Sequence, residues 1–332
     1  MRWGIAATVL TIVTAAAPLQ AQTAVSGVAY SQFVYQLADT ANHTNGFDVT
    51  RAYLNVVSKF TGGIATRVTA DIYRQAGDNS LRYRLKYAYV AYTPGTSPLT
   101  FKLGATQTPW LDWEEALWDY RMQGTMPMDR NGYLSSSDIG FGIDGKWSGD
   151  RVNSAVIFMN GENYNGGPGD QRKDVAARVS VRLAATNDSS RVGGLRLTGY
   201  GHYGKPTGGG VRDRAIGMLS YRSHELTLAA EYAMTRDSNT TTALLKGRVI
   251  SAYGVYHFAN SKVAVIGRVD AVDPNTSVAG DRQTRVIGGV SYQLSPNVRL
   301  LGDWDHLSYQ TTPTPAQEAV RSQALFQVQF SF

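Results

Sequence analysis

Apolar and polar side chains alternate with a period of two from one end of this chain to the other. Between 99 and 106, for example, Leu99, Phe101, Leu103 and Ala105 fall on one face, and Thr100, Lys102, Gly104 and Thr106 fall on the other. A period of two belongs to extended strands, because successive side chains of a strand point to opposite sides of its sheet. The pattern predicts sixteen strands, near 25–37, 47–60, 65–73, 81–93, 99–106, 138–147, 152–160, 174–184, 194–204, 214–223, 226–236, 247–258, 263–272, 284–294, 297–309 and 321–332. Most of them reach the roughly 9 to 11 residues that a tilted strand needs to cross a bilayer.

The connections narrow the choice further. They are short at 61–63, 94–98, 148–151, 223–225, 259–262 and 295–296, and long at 38–46, 107–137, 161–173, 205–213, 273–281 and 310–320. Short and long connections therefore take turns, which is how a membrane barrel divides its tight turns from its larger loops. A soluble sandwich or propeller has no reason to sort its connections this way. The segment 185–193 stands out, being of loop length where a turn is expected.

The ends of the chain agree with an exported barrel. Arg2, an apolar stretch from Ile5 to Ala17, and a small residue at Ala21 have the form of a signal peptide, so we expect 1–21 to be a cleaved leader and 22–332 to be the barrel domain. The absence of Cys removes disulfides as a source of stability, and a closed, fully hydrogen-bonded sheet does without them. At the other end, Ala324, Phe326, Val328, Phe330 and Phe332 share one face, opposite Gln323, Gln327, Gln329 and Ser331. Such an apolar edge would invite aggregation in a soluble protein. In an outer-membrane barrel it closes the sheet and resembles the C-terminal signal presented to the barrel-assembly machinery. Tyr83, Tyr87, Tyr89, Trp147, Tyr203, Tyr221, Tyr256 and Trp304 fall on the expected lipid face, where strand-end aromatics form interfacial girdles.

With the apolar phase facing lipid, the charges must line the interior, since an Arg or Lys facing lipid at the midplane costs about 2–4 kcal/mol. Cations outnumber anions there. A basic wall is expected from Arg51, Lys59, Arg67, Arg82, Arg84, Lys86 and Lys102 on the second to fifth strands. The longest loop, 107–137, carries Trp110, Trp113 and Trp118, which are costly to leave in water. It also carries Asp112, Glu114, Glu115, Asp119 and Asp129, opposed only by Arg121 and Arg130. If the loop folds inward, its carboxylates face the basic wall.

Several stretches resemble the phosphate-selective porin O and P family. They are Gly104 to Pro109 at the entry of the long loop, Met128-Asp129-Arg130 midway, Asp138-Ile139-Gly140-Phe141 after it, and Phe47 to Tyr53 early in the chain. The resemblance implies an all-β, sixteen-stranded transmembrane barrel, a homotrimer in the outer membrane, with the long loop folded in to narrow the channel. Phosphate specificity does not carry over. Ser137 stands where the family has Arg, Asp129 where it has Glu, and the loop is net acidic, whereas a dedicated phosphate site needs several cationic donors close together.

The expected function is passive diffusion of small hydrophilic solutes with a mild preference for anions. The expected partners are membrane lipid, lipopolysaccharide, the assembly machinery, and small anions and polar solutes. A phosphate- or polyphosphate-selective porin is the alternative, and a barrel lipase or adhesin a more distant one. His306 and Ser308 are the nearest approach to a catalytic pair. The adhesin would favour longer loops than these. The five scattered His have no ligand spacing. No metal, cofactor or nucleic-acid partner is expected, the modest basic excess notwithstanding.

Overall fold

The computed structural model describes residues 22–75 and 77–332, so the expected leader at 1–21 lies outside the described residues. Sixteen antiparallel strands succeed one another around a closed barrel. They are β1 (Gln22–Gln36), β2 (Asn45–Lys59), β3 (Ile64–Arg74), β4 (Leu81–Tyr92), β5 (Leu99–Gln107), β6 (Ser137–Trp147), β7 (Val152–Met159), β8 (Asp174–Ala184), β9 (Gly194–Tyr203), β10 (Val211–Arg222), β11 (Leu226–Ser238), β12 (Leu245–His257), β13 (Val263–Asp273), β14 (Gln283–Ser295), β15 (Val298–Tyr309) and β16 (Ser322–Ser331). Three short helices, α1 (Leu111–Trp118), α2 (Pro127–Arg130) and α3 (Pro315–Val320), lie in loops. Each predicted strand matches one of these and differs only at its ends.

Closure is made by β1 and β16, which pair from Val28↔Ser331 to Gln36↔Gln323. Beyond that ladder, Gly27 and Phe332 exchange both main-chain hydrogen bonds, at 2.9 and 3.1 Å. The Phe332 ring covers Gly27 so closely that a Cβ there would lie 2.3 Å from it. No edge is left at the seam, which satisfies backbone groups that lipid could not. Phe326 and Phe330 face out, while Gln327 is buried inside. The opposite register would put the glutamines in lipid.

The alternation predicts the wall in a regular strand such as β16, and fails in β4, which is irregular. In β4, Tyr87 pairs with Thr69 and Leu85 with Ala70, which leaves Lys86 as an extra residue without a cross-strand partner on β3. Such a bulge reverses the phase of the strand beyond it. Tyr83 is exposed on the outside as expected, but Tyr87 and Tyr89, expected on the lipid face, point into the lumen. Tyr87 is only 8% exposed, and the Tyr89 hydroxyl accepts a bond from Gln107 Nε2 at 3.4 Å.

Candidate functional site: the constriction inside the barrel

The chain between β5 and β6 turns into the barrel instead of leaving it. Its base is pinned where the sequence reads Thr108-Pro109: Thr108 Oγ1 donates to Ser135 O at 2.5 Å, and Arg178 Nε on β8 donates to Pro109 O at 3.1 Å. Gly104 just before it has φ +124°, and a Cβ there would lie 2.2 Å from Ala88 O, so β4 and β5 approach each other only with glycine at this position. On the far side of the loop, Asp138 Oδ2 accepts from the amides of Gly161 and Asn163 at 3.1 and 2.9 Å, tying the next long loop down.

Inside, the loop lies along one half of the wall. Trp110, Trp113, Leu117, Trp118, Met126 and Met128 are fully buried against it. Burying a large apolar side chain is worth about 1.5–3 kcal/mol, so this face is what holds the loop in place. Trp110 packs on Tyr200 of β9, Trp118 on Tyr253 of β12, and Trp113 under the Arg178 guanidinium, 4.0 Å from its ring. Polar anchors continue around the barrel. Arg214 Nε donates to Tyr133 O, Arg268 Nη1 to Thr125 O, Tyr120 pairs with Ser291 at 2.6 Å, and Gln327 Nε2 donates to Met122 O at 2.9 Å.

Two expected loop residues belong to this anchored face and not to the passage. Glu114 is fully buried with its carboxyl toward Glu231 of β11. Arg130 lies 3.7 Å from Asp305 of β15 and donates to Gln123 Oε1. The cause is helical phase: Glu114 follows Trp113 around α1 onto the buried side, and Glu115 comes out on the open side.

The passage that remains runs between the loop and β1–β4, with β16 at its edge. A cavity of about 470 Å³ there is lined by Tyr30, Tyr53, Arg67, Lys86 and Tyr87 on the wall side, and by Asp112, Glu115, Asp119 and Arg121 on the loop side. Arg51 Nη1 and Arg84 Nε share one carboxylate oxygen of Asp71, each at 2.8 Å. Lys102 pairs with Asp144 at 2.5 Å. Arg67 hydrogen-bonds Asn55 and Thr69 and lies over the Tyr87 ring at 4.6 Å; Lys86 donates to Tyr53 Oη at 3.3 Å. Neither Arg67 nor Lys86 forms an ion pair among the described residues.

The loop's acids that line this cavity, by contrast, have partners. Glu115 pairs with Arg121 at 2.9 Å, Asp119 with Arg299 at 3.3 Å, and Asp112 with Arg191 at 2.5 Å. Burial raises the pKa of Asp129 above its ordinary value. Arg82 stands away from the constriction, at the end of β4, half exposed, paired with Asp78 and bonded to Ser80. Lys59 is exposed at the short-turn end of β2.

Sequence reasoning missed the tyrosines and Arg191. Tyr87 was hidden by the bulge, and Arg191 by its place in a turn whose unusual length was the only signal. His306 and Ser308 lie near the long-loop end of β15, with His306 stacked on Trp304 at 5.3 Å and bonded to Arg321.

The chain is similar to the anion-selective porin from Comamonas acidovorans, with a TM-score of 0.69 and 13% identity over 94% of this chain and 100% of that one. The fold is that of the outer-membrane porins. A loop-deletion form of OmpT, an outer membrane protein of Vibrio cholerae, superposes with a TM-score of 0.68 at 11% identity over 94% and 99% of the two chains. OmpF of Salmonella typhi does so with 0.63 at 14% over 93% and 97%. No family model and no curated protein matches the chain, so the likeness to the phosphate-selective family rests on its motif residues alone.

Proposed function

We propose that the chain is an outer-membrane porin, a water-filled channel for passive diffusion of small hydrophilic solutes with a mild preference for anions. The observation that carries the preference is the imbalance at the constriction. Arg67 and Lys86 face the cavity without carboxylate partners, while the loop's acids next to it are held by Arg121, Arg191 and Arg299. A unit charge about 10 Å away in water contributes only about 0.4 kcal/mol, so the bias is mild and shrinks as salt screens it.

The phosphate-selective alternative has less support. Arg51 and Arg84 already share Asp71, which leaves too few converging donors for a dedicated oxyanion site.

The rest of the reading accompanies the porin fold. The long-loop end faces outward and the short-turn end faces the periplasm. The leader directs export, Phe332 presents the assembly signal, the lipid face meets lipid and lipopolysaccharide, and three copies assemble. Deleting Phe332 lowers insertion into the outer membrane, measured as heat-modifiable protein in membrane fractions. The test of function is single-channel recording in a planar bilayer with a KCl gradient. The reading expects a reversal potential on the chloride side that weakens at high salt. A cation-selective channel would sink the anion preference, and no channel at all would sink the porin.

A further inference from the structure

The turn 185–193 is long where the other turns at its end of the barrel are short, and it does not hang free. Its first half is tied to the neighbouring turn. Thr186 Oγ1 donates to Arg222 O at 2.5 Å, Asn187 Oδ1 accepts from His224 N at 2.9 Å, and Asp188 Oδ2 accepts from Arg222 Nε at 2.8 Å. Its second half climbs into the lumen, where Val192 is buried. There Arg191 meets α1: Nη1 donates to Asp112 Oδ2 at 2.5 Å and Nη2 to Asp112 O at 2.6 Å. Arg222 holds the other end of the same helix through Ala116 O at 2.5 Å and Leu117 O at 3.2 Å. The helix that forms the constriction is thus supported from beneath at both ends by one network.

Arg191 does more than support. Asp112 and Arg191 both line the 470 Å³ cavity, and each side chain is about a third exposed. Burial alone would raise the Asp112 pKa, but the Arg191 charge and hydrogen bond, with the Lys102 and Arg178 charges after them, outweigh it and hold it below the ordinary value. Asp112 is therefore a carboxylate at the passage in direct ion contact with a residue from the opposite end of the barrel.

We propose that Arg191 is a selectivity-determining residue, delivered to the constriction by the turn 185–193, and that it keeps the channel from being cation-selective by neutralising Asp112. The inference rests on the porin reading and deepens it. It requires that the effect of losing Arg191 be reversed by losing Asp112 as well.

Two measurements test it. In planar bilayers, R191Q lowers the chloride-to-potassium permeability ratio about two- to threefold, the D112N/R191Q double variant restores it, and R191K stays near wild type. A purely structural strut predicts otherwise: R191Q would change conductance and noise, and adding D112N would not repair them.

The second measurement needs no conduction. The chain has no Cys, so A116C introduces a single thiol on α1 at the same cavity. In detergent, we compare its labelling rates with the anionic sulfonatoethyl and the cationic trimethylammonioethyl methanethiosulfonates. Adding R191Q lowers the anionic-to-cationic rate ratio at least twofold, and adding D112N brings it back. If neither ratio moves on R191Q, or D112N fails to restore both, the proposal is overturned. If labelling behaves as expected while no variant conducts, Arg191 controls the field and the porin reading is what fails.

Discussion

The two halves of the barrel interior carry the same kind of sequence and use it differently. On β8 to β16, lumen-facing arginines such as Arg178, Arg214 and Arg268 are buried beneath the inward loop and spend their donors on its main chain. On β2 to β4, Arg67 and Lys86 face the open passage with only neutral partners. Alternation put all of them in the lumen. What separates them is what each meets there: the loop's main chain takes up the donors of the first group, whereas Arg67 lies over the Tyr87 ring and Lys86, itself only 4% exposed, over the Tyr53 ring beside the cavity.

The comparison breaks most readily in the anchored half. Arg268, in contact with Asp270 at 2.7 Å, is fully buried. Replacing it with Met leaves Asp270 uncompensated, and removing one partner of a buried pair costs about 3–5 kcal/mol. The R268M variant is expected to unfold at a markedly lower temperature in a heat-mobility assay and to show a noisier open channel. An unchanged midpoint would mean that the arginines of this half are not anchors.

A pH titration comes next in size. Burial first, and then the Glu231 carboxyl facing it, push Glu114 on α1 well above its usual value of 4.5; Asp270 and Arg268 of β13 and Tyr253 of β12 are the other charged or titratable groups around it. In the docked state it keeps a proton that the undocked loop would release. Docking therefore holds at acid pH and weakens as pH rises from the usual value toward the raised one, by at most about 1.4 kcal/mol per pH unit. The unfolding midpoint should fall with rising pH in wild type, and E114Q should flatten that slope. A slope of opposite sign would show that the Glu114–Glu231 contact is misread.

In the open half the effects are smaller and of another kind. Replacing Arg67 and Lys86 by Ser should move the reversal potential toward cations, with the permeability of each ion changing about twofold per charge, in opposite directions, on the 0.4 kcal/mol scale. R82S should leave selectivity unchanged, because Arg82 is paired to Asp78 away from the constriction. A large effect of R82S, or none from Arg67 and Lys86, would move the filter away from the 470 Å³ cavity.

Much of this molecule was legible along the chain. The strands, the sorting of short and long connections, the outward Phe326 and Phe330, and the interior placement of Arg51, Arg67, Arg84 and Lys102 come from a local period and from the cost of charge in lipid. The inward loop was signalled by its three tryptophans, which needed a surface to cover them.

What the sequence by itself determined is the barrel and the polarity of its two faces, since each residue's side is fixed by its neighbours two positions away and by the solvent it must meet. The tertiary structure alone decided the filter. Whether Glu115 or Glu114 reaches the passage depends on which face of α1 docks. Whether Tyr87 points in depends on one extra residue opposite β3. Asp112 is neutralised by Arg191, a residue 79 positions away on a turn from the other end of the barrel. Contacts of that kind are set by how distant segments pack, and no local pattern in the chain encodes them.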